Sequence, residues 1–361
     1  MNRTLNFYAG PATLPLPALE RAKNEIPDWE GTGMSVMETS HRSPEYDVVH
    51  HQAMDLVTEL LGLDDDHQVL FLQGGASLQF AMLAMNFIPN GGSADYVNTG
   101  TWSTKALKEA NIIATGREAG SSEADGFTRI PRQDELDLDP NAAYLHVTSN
   151  NTIKGTQYHA FPDCGQVPLV ADMSSDFLWR PFDANRFHMI YAGAQKNIGP
   201  AGVTLVVIRK SWLEKANQGL PTMLSYATYS AKESLYNTPP VFAIYMVRNV
   251  LQWVKDEGGL AAMEKVNRAK GDRLYGVMTA HPDFYRCPVE EASRSYMNVV
   301  FRLPNEELEA KFVAEAKAAG MVGLKGHRSV GGCRASIYNA MPAEGVERLA
   351  EFMESFAASN G

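Results

Sequence analysis

The chain has 361 residues, 45% of them hydrophobic, so a large domain with a second, smaller one is expected. Its net charge of −10 argues against a nucleic-acid binder, which needs a basic face, but a few local arginines could still bind small anionic substrates. The three cysteines have no metal spacing, and no apolar run reaches the ~18–20 residues that cross a bilayer, so we expect a soluble cytoplasmic protein without membrane contacts.

The N-terminal region reads as an extended arm of fifteen residues followed by a helix from Pro17. Ser43 and Pro44 then form a helix-start pattern, an N-cap and a first helical position, and the helix they predict ends at Gly62. Arg42 lies in the loop just before this helix N-terminus. Such a place suits the binding of an anion.

A buried strand is predicted over residues 68–72, followed by the turn Gln73-Gly74-Gly75-Ala76-Ser77 and an apolar helix over residues 78–87. In a strand, glycine-rich turn and helix, the backbone N–H groups and the helix dipole can hold a phosphate. The turn has neither a G-x-G-x-x-G pattern nor a Walker lysine, so it fits neither a dinucleotide nor an NTP fingerprint. A phosphate cup and a plain tight turn both stay open here.

Short apolar strands alternate with helices further along the chain. The predicted strands cover residues 94–98, 143–147, 167–171, 188–192 and 203–208. This alternation predicts an α/β fold with a mostly parallel sheet, in which ligands bind at the C-terminal ends of the strands. Ser77, Trp102, Thr152 and Asp172 fall at such ends or just beyond them.

The C-terminal part begins with Asn237-Thr238-Pro239-Pro240 and two predicted helices, over residues 241–256 and 260–278. The remainder reads as a separate α+β unit with strands at residues 297–303 and 333–337 and helices at residues 306–319 and 343–357. We therefore predict two domains. The large one covers residues 16–260, and the small one joins residues 1–15 to residues 261–361.

One lysine, Lys196, lies between two predicted strands in a run of mostly small residues, Tyr191 to Gly202 (YAGAQKNIGPAG). Burial lowers the pKa of an ammonium, and a partly desolvated amine can form a Schiff base with a carbonyl cofactor. A lysine in a glycine-rich turn is usually a plain surface residue. Here the small neighbours leave room for a bulky group, which favours the reactive interpretation.

Pyridoxal phosphate needs an amine, an acid for its pyridine nitrogen, a flat group against its ring, a phosphate cup and a substrate anchor. Lys196 offers the amine. Asp172, 24 residues earlier and at the end of its own strand, could pair with the pyridine nitrogen and keep it protonated. Trp102 could stack on the ring. Taken singly, Asp172 could instead be a helix N-cap and Trp102 a core residue.

The phosphate cup could be formed by Ser77 with the region of Ala76, helped by the neutral Gln195. Taken alone, Gln195 could also be an ordinary turn residue. The whole set is more persuasive than its members, because all of them fall at strand ends of one α/β domain.

Seven segments carry a family resemblance over essentially the whole chain: Ser40-His41-Arg42, Gly74-Gly75-Ala76-Ser77, Ala94-Asp95-Tyr96-Val97 with Trp102, Tyr191 to Gly202, Asn237-Thr238-Pro239-Pro240, Lys325-Gly326-His327-Arg328, and Arg334 to Pro342. Through them the sequence resembles the phosphoserine aminotransferases, class-V enzymes of pyridoxal-phosphate fold type I. The resemblance implies a large domain with a mostly parallel mixed sheet flanked by helices, plus a smaller C-terminal α+β domain.

For the cofactor, the resemblance implies that Lys196 holds pyridoxal 5'-phosphate and then moves a proton during the reaction. Further implied contacts come from Ala76, Ser77, Trp102, Thr152, Asp172 and Gln195. It also implies a homodimer with a shared active site, in which Asn237 and Thr238 reach the cofactor phosphate across the interface.

For the substrate, the resemblance places Arg42, His327 and Arg328 around a phosphate group and Arg334 on the α-carboxylate. Arginine forks match both anions, and a protonated histidine would add charge near neutral pH. The implied reaction is a reversible transamination of 3-phosphohydroxypyruvate by L-glutamate, giving O-phospho-L-serine and 2-oxoglutarate in serine biosynthesis. A phosphorylated threonine analogue, 4-phosphohydroxy-L-threonine in pyridoxine biosynthesis, is a second candidate substrate.

The chain departs from the family at two places. Tyr8 and Ala9 stand where a small hydroxyl residue is expected near the substrate, and Ser77 replaces an arginine that some members carry. Two other functions are also considered. One is a cysteine desulfurase-like lyase, for which Cys333 is the only cysteine near a substrate motif. The other is a non-catalytic binding protein on the same fold, against which the intact lysine and aspartate argue.

Overall fold

The computed structural model describes residues 3–361, with helices and strands alternating through most of the chain. The helices are α1 (Leu16–Glu25), α2 (Pro44–Leu61), α3 (Gly75–Phe87), α4 (Thr101–Ile113), α5 (Lys210–Leu213), α6 (Tyr226–Ala231), α7 (Val241–Asp256), α8 (Gly259–Ala280), α9 (Glu306–Ala318) and α10 (Ala343–Asn360). The strands are β1 (Leu5–Asn6), β2 (His67–Leu72), β3 (Ser93–Asn98), β4 (Thr115–Ser121), β5 (Leu145–Thr148), β6 (Leu169–Asp172), β7 (Met189–Gly193), β8 (Thr204–Arg209), β9 (Asn298–Phe301), β10 (Met321–Val322) and β11 (Cys333–Ser336).

The main sheet has seven strands in the order β2-β8-β7-β6-β5-β3-β4. β8 runs antiparallel to both of its neighbours, and every other adjacent pair is parallel. The predicted α/β fold with a mostly parallel mixed sheet is therefore confirmed. β4 was not predicted, because it is an edge strand whose partly exposed, polar sequence lacks an apolar run.

Alternate strand residues face two layers of helices. On one face, Ile190 and Val207 belong to a core shared with α2 and α7. On the other face, Met189 and Tyr191 belong to a core shared with α3 and α4. Burial on both faces explains why these strands read as continuous apolar runs in the sequence.

Helix α2 has the bounds that its sequence predicts. Ser43 has an extended backbone at the N-cap, and Pro44 is the first helical residue. Gly62 ends the helix with a φ of 60°, a left-handed conformation that glycine adopts without strain, and its N–H bonds to the carbonyl of Glu59.

The strand order reverses between β3 and β5. From β3 the chain moves to the edge strand β4, whereas from β5 it moves through β6 and β7 in the opposite direction. Open α/β sheets bind ligands in the crevice outside the C-terminal strand ends at such a point. Trp102, at the start of α4, follows β3, and Thr152 follows β5, so this reversal brings the two residues together.

The C-terminal strands form two small pairs outside the main sheet. β9 and β11 pair antiparallel, and β1 in the N-terminal arm pairs parallel with β10. Helices α8, α9 and α10 enclose a core around Leu274, Phe301, Phe312, Leu349 and Phe356. The docking of the arm on β10 favours grouping residues 1–15 with residues 261–361, and the division into two domains stays a prediction.

Within residues 3–361, no helix is both long and apolar enough to span a membrane. The same residues include no group of three or more His, Cys, Asp or Glu side chains that could hold a metal ion.

Candidate active site

Lys196 lies in the short connection between β7 and β8, at the C-terminal edge of β7. Its Nζ is 5.1 Å from the centroid of the Trp102 ring. Desolvation lowers the pKa of its ammonium, the carboxylates of Asp172 and Asp176 oppose this shift, and the positive charge of Arg334 adds to it. Depression of the pKa increases the neutral fraction of the amine, which is the nucleophilic form.

Asp172 ends β6 and is buried beside β7, the strand that leads to Lys196. Its Oδ1 accepts hydrogen bonds from the Ser174 backbone N–H at 2.9 Å and from Ser174 Oγ at 2.6 Å. Ser174 Oγ in turn accepts the N–H of Gly193 at 3.0 Å, which ties the carboxylate to the end of β7. Burial raises the pKa of Asp172, and Lys196 opposes the rise. No residue within 3–361 donates to Asp172 Oδ2, so this oxygen is available to a ligand N–H.

Asp176 is a second buried carboxylate that the sequence analysis missed. It accepts hydrogen bonds from Ser149 Oγ and, at 3.0 Å, from Gln157 Nε2. Burial raises its pKa to about 6. The only sequence signal was a second aspartate four residues after Asp172 in the same strand-end loop. Its negative charge favours the protonated form of Lys196.

Trp102 and Thr152 meet where the strand order reverses. The Trp102 Nε1–H donates to Thr152 Oγ1 at 2.9 Å, and the carbonyl of Thr152 accepts from Arg334 Nη1 at 2.8 Å. Arg334 Nε is buried with no hydrogen-bond partner among the described residues. A largely buried guanidinium with a free donor fits the carboxylate of a ligand.

His327 and Arg328 lie beside Arg334 in a cluster of cations. Desolvation lowers the pKa of His327, and the positive charges of Arg334, Arg328 and Lys105 lower it further. The imidazole is therefore shifted towards its neutral form, and only its protonated form would add charge to the cluster. A bound phosphate would reverse part of this shift, because a nearby negative charge favours the protonated form.

Lys105 is another member of this cluster that sequence reasoning missed. It lies on α4 one turn after Trp102, and its Nζ is 4.8 Å from the centroid of the indole ring. The i, i+3 spacing on α4 was its only sequence signal.

Ala76 and Ser77 lie in the first turn of α3. The helix begins at Gly75, three residues earlier than the sequence predicted, because Gly74 and Gly75 adopt positive φ values of 86° and 65° that lead directly into it. No side chain caps α3, so its first N–H groups are free to bind an anion. A Cβ on Gly74 would lie 2.6 Å from Leu78 Cδ2, so the turn requires glycine there.

Gln195 is fixed from two sides. Its carbonyl accepts the N–H of Ala12 at 2.9 Å, which docks the N-terminal arm on the Lys196 segment. A Cβ on Gly193 would lie 2.9 Å from Gln195 Oε1, so the side chain packs closely over that glycine. Of the two arm residues that depart from the family, Tyr8 is exposed and Ala9 accepts the Tyr338 hydroxyl through its carbonyl.

Among residues 3–361, no hydrogen bond or ion pair joins Arg42, Asn237 or Thr238 to Lys196, Asp172 or Trp102. Arg42 precedes α2, and Asn237 and Thr238 precede α7. Gln52 bonds to Arg248 at 2.8 Å and Glu59 bonds to Lys255 at 2.6 Å, and the two partners are 196 residues apart in sequence in both pairs. Because this separation stays the same along the helices, α2 and α7 run parallel. The loops before the two helices therefore lie at the same end of the pair. We call Arg42, Asn237 and Thr238 the helix-pair cluster.

Cys333 does not have the properties of a mobile catalytic thiol. It is 2% exposed within β11, and burial raises the pKa of its thiol well above the ordinary value. A catalytic cysteine needs a thiolate and access to its substrate. These observations argue against the desulfurase-like alternative.

The chain belongs to the aminotransferase class-V family, whose model matches residues 4–349. Within that family it is similar to enzymes named phosphoserine aminotransferase. The relative from Desulfatibacillum aliphaticivorans is 57% identical over 100% of this chain and 99% of its own length. The relative from Niallia circulans is 54% identical over 99% of both chains.

Two solved structures extend the likeness to the fold. Phosphoserine aminotransferase from Bacillus circulans subsp. alkalophilus superposes with a TM-score of 0.98, at 54% identity over 99% of both chains. The pyridoxal-phosphate-bound phosphoserine aminotransferase from Trichomonas vaginalis superposes with a TM-score of 0.92, at 39% identity over 98% of this chain and 100% of that one. The expected fold type I architecture is thereby confirmed.

Proposed function

We propose that the protein is a pyridoxal-phosphate-dependent phosphoserine aminotransferase. It interconverts L-glutamate and 3-phosphohydroxypyruvate with 2-oxoglutarate and O-phospho-L-serine, a step of serine biosynthesis. The observation that carries the proposal is the placement of Lys196 over the Trp102 indole face, between a buried carboxylate and a cluster of cations. The relatives named phosphoserine aminotransferase, similar over the full length, support the same substrate.

The residues present fit pyridoxal phosphate. Lys196 would hold its aldehyde carbon, Trp102 would cover its ring, and the free N–H groups at the start of α3 would bind its phosphate. Asp172 Oδ2 would accept the pyridine N–H, since the other carboxylate oxygen is already bonded to Ser174. When bound, the cofactor supplies an electron sink for the α-carbon of the amino acid.

The protein residues then hold and move protons at defined atoms. The Asp172 carboxylate keeps a proton on the pyridine nitrogen, because a negative charge beside that nitrogen favours its protonated form. With the cofactor bound, the Lys196 amine would take the proton from the α-carbon of the substrate and deliver it to the C4′ atom of the cofactor. The lowered pKa of Lys196 suits this role, because a general base must be neutral near the working pH.

Substrate selectivity comes from two separate anion sites. Arg334, fixed by its bond to the Thr152 carbonyl, binds the α-carboxylate that every amino-acid and keto-acid substrate carries. His327 and Arg328 bind the phosphate of phosphoserine. The phosphorylated threonine analogue of pyridoxine biosynthesis carries both anions, so it fits as a second substrate.

The helix-pair cluster supports a homodimer with a shared site. Within that part of the chain His41 Nε2 and Asn237 Oδ1 are buried without hydrogen-bond partners among the described residues. The same segments expose large apolar side chains: Met34, Met37, Val48 and Tyr236. A second copy that covers them would bring its own Arg42, Asn237 and Thr238 to the phosphate sites of this chain.

The cytoplasm is the location that we propose. All three cysteines of the chain are free thiols, as is usual in a reducing compartment.

A single half-reaction tests the proposed function. Purified protein loaded with pyridoxal phosphate is mixed with O-phospho-L-serine and, in parallel, with L-serine, L-alanine and L-cysteine, and the cofactor absorbance is followed. We expect conversion of the cofactor to its amine form with phosphoserine and little with the three unphosphorylated amino acids. Conversion by L-alanine or L-serine but not by phosphoserine would refute the substrate. Sulfide release from L-cysteine would favour the desulfurase alternative instead.

A further inference from the structure

Lys270 is a fully buried lysine for which the proposed mechanism has no use. It lies on α8 and is 2% exposed. Within residues 3–361 no carboxylate pairs with it; its Nζ donates to four backbone carbonyls. They belong to Ile337 at 3.3 Å, Asn339 at 3.3 Å, Met341 at 3.1 Å and, closest, Tyr338. An ammonium without a counter-ion is costly to bury, so its retention calls for a specific role.

The four carbonyls form one turn directly after β11. Tyr338, in the middle of this turn, has a φ of 24°, a conformation in the left-handed region that a bulky residue rarely adopts. Such strained backbone persists only where its surroundings fix it, and it is concentrated at functional sites. Lys270 bonds to the carbonyl of this residue and of both neighbours, so its ammonium joins three successive carbonyls of the turn.

The turn reaches the Lys196 segment through one hydrogen bond. The backbone N–H of Asn339 donates to Asn197 Oδ1 at 2.9 Å, and Asn197 Nδ2 donates to the Phe177 carbonyl at 2.7 Å. Asn197 directly follows Lys196 in the chain. The group of four carbonyls around Lys270, which we call the Lys270 cage, is therefore linked to the segment of the reactive amine through Asn339 and Asn197.

The turn also reaches the substrate side. Arg334 lies on β11, three residues before the first carbonyl of the cage. The Tyr338 hydroxyl donates to the carbonyl of Ala9 at 2.6 Å and so ties the N-terminal arm to the same turn. The Lys270 ammonium thus holds residues 337–341, which directly follow β11 and contact Asn197.

We propose that Lys270 is a positioning residue, whose ammonium gathers the carbonyls of residues 337–341 and thereby fixes the Lys196 amine and the Arg334 guanidinium relative to each other. This inference rests on the proposed function, since it assumes that Lys196 reacts and that Arg334 binds the substrate carboxylate. The charged form can serve more of the four carbonyls, because an ammonium has three N–H donors and a neutral amine has two. Burial lowers the pKa of Lys270 to about 7, whereas the surrounding carbonyl dipoles favour its charged form.

The test compares Lys270→Met with Lys265→Met, a matched control on the exposed side of the same helix. Hydrogen exchange is measured on the cofactor-free proteins, followed by kcat and KM on the loaded ones. In Lys270→Met we expect faster exchange in residues 333–341 and 194–199, with the strands of the main sheet unchanged. We expect kcat/KM for both amino-acid substrates to fall about 100-fold, the loss that a displacement of roughly 1 Å can cause.

Chemical rescue separates the ammonium from the packing of the side chain. In Lys270→Ala, added ethylammonium should restore at least a tenth of the lost kcat/KM, whereas ethanol of similar size should not. A Lys270→Met protein within threefold of the Lys265→Met control would overturn the proposal. So would exchange that accelerates uniformly over the whole chain, because a residue with only a general stabilising role would act in that way.

A second variant keeps the test decisive if Lys270→Met does not fold. Asn197→Ala removes the acceptor of the Asn339 N–H and leaves Lys270 in place. We expect it to lower kcat more than it raises KM and to speed exchange at the Asn339 amide. No change in either quantity would contradict the proposal. If wild-type protein does not react with phosphoserine, the proposed function fails, while the exchange comparison still decides whether Lys270 fixes the two segments.

Discussion

The Trp102 indole N–H donates a hydrogen bond to the Thr152 hydroxyl at 2.9 Å, across the point where the strand order of the main sheet reverses. The carbonyl of the same threonine accepts from Arg334. Thr152 therefore joins the group that would cover the cofactor ring to the group that would bind the substrate carboxylate. Neither contact could be derived from one strand alone.

Removing the Trp102–Thr152 bond should weaken cofactor binding without unfolding the protein. Trp102→Phe keeps an aromatic face but loses the N–H, and Thr152→Val loses the hydroxyl while keeping the carbonyl that Arg334 needs. We expect each to raise the Kd for pyridoxal phosphate, with a loss of about 0.5–1.5 kcal/mol in binding free energy, the net value of one hydrogen bond. Fluorescence titration of the cofactor-free variants measures this.

The double variant provides the control for that bond. If the two residues act through a single contact, Trp102→Phe combined with Thr152→Val should weaken binding no more than the worse single variant. Fully additive losses would show that the two side chains act separately.

Arg328 should discriminate between the two amino-acid substrates. Arg328→Ala is expected to raise KM for O-phospho-L-serine far more than for L-glutamate. The expected difference corresponds to a loss of roughly 2–3 kcal/mol in binding free energy, because the ion pair to the phosphate is lost. Steady-state kinetics with each substrate measures the difference, with Arg348→Ala, an exposed arginine on α10, as the control. Equal damage to both substrates would refute the assignment of Arg328 to the phosphate.

The sequence predicted those parts of the site that depend on strand ends. Asp172, Trp102 and Thr152 could be placed together because parallel strands present their C-terminal ends at one edge. Asp176 and Lys105 could not, since periodicity describes which face a residue occupies and not which side chains meet across a loop. The fold was predicted in its main elements. The elements that were not predicted are the polar edge strand β4, which has no apolar signal, and the short elements α5, α6 and β10.

The helix-pair cluster shows a different limit of sequence reasoning. Motifs assigned Arg42, Asn237 and Thr238 to the site, yet one chain places them apart from Lys196, before two parallel helices. Under the proposed function, a second copy would bring both groups together.

Mixing two inactive variants tests the shared site. Lys196→Ala lacks the amine, and Arg42→Ala lacks the phosphate contact proposed to come from the other copy. After denaturation and joint refolding, about half of the dimers are hybrids, each with one intact site, so about a quarter of wild-type activity should return. Each variant refolded alone is the control. Activity that stays at the level of the two controls would show that Arg42 acts within its own chain.

Asp176 should make stability depend on pH in a direction opposite to that of a paired carboxylate. Its pKa is raised by burial to about 6 from 3.8, so the folded protein holds this proton at pH values where the unfolded chain has lost it. The free energy of unfolding therefore contains a penalty that is full above pH 6 and is relieved as the pH falls towards 4. Asp176→Asn, neutral at every pH, should avoid this penalty.

We expect Asp176→Asn to gain stability relative to wild type as the pH rises from about 4 to about 7, by up to about 3 kcal/mol at 1.36 kcal/mol per pKa unit. Urea denaturation of the cofactor-free proteins across this range measures the difference, and Asp134→Asn, at an exposed position, is the control. The same variant also removes a negative charge that holds the proton on Lys196, so the pH at which the lysine-bound cofactor changes its absorbance should fall. A stability difference that stays constant with pH would mean that folding does not shift the pKa of Asp176, and the effect assigned to its burial would then be wrong.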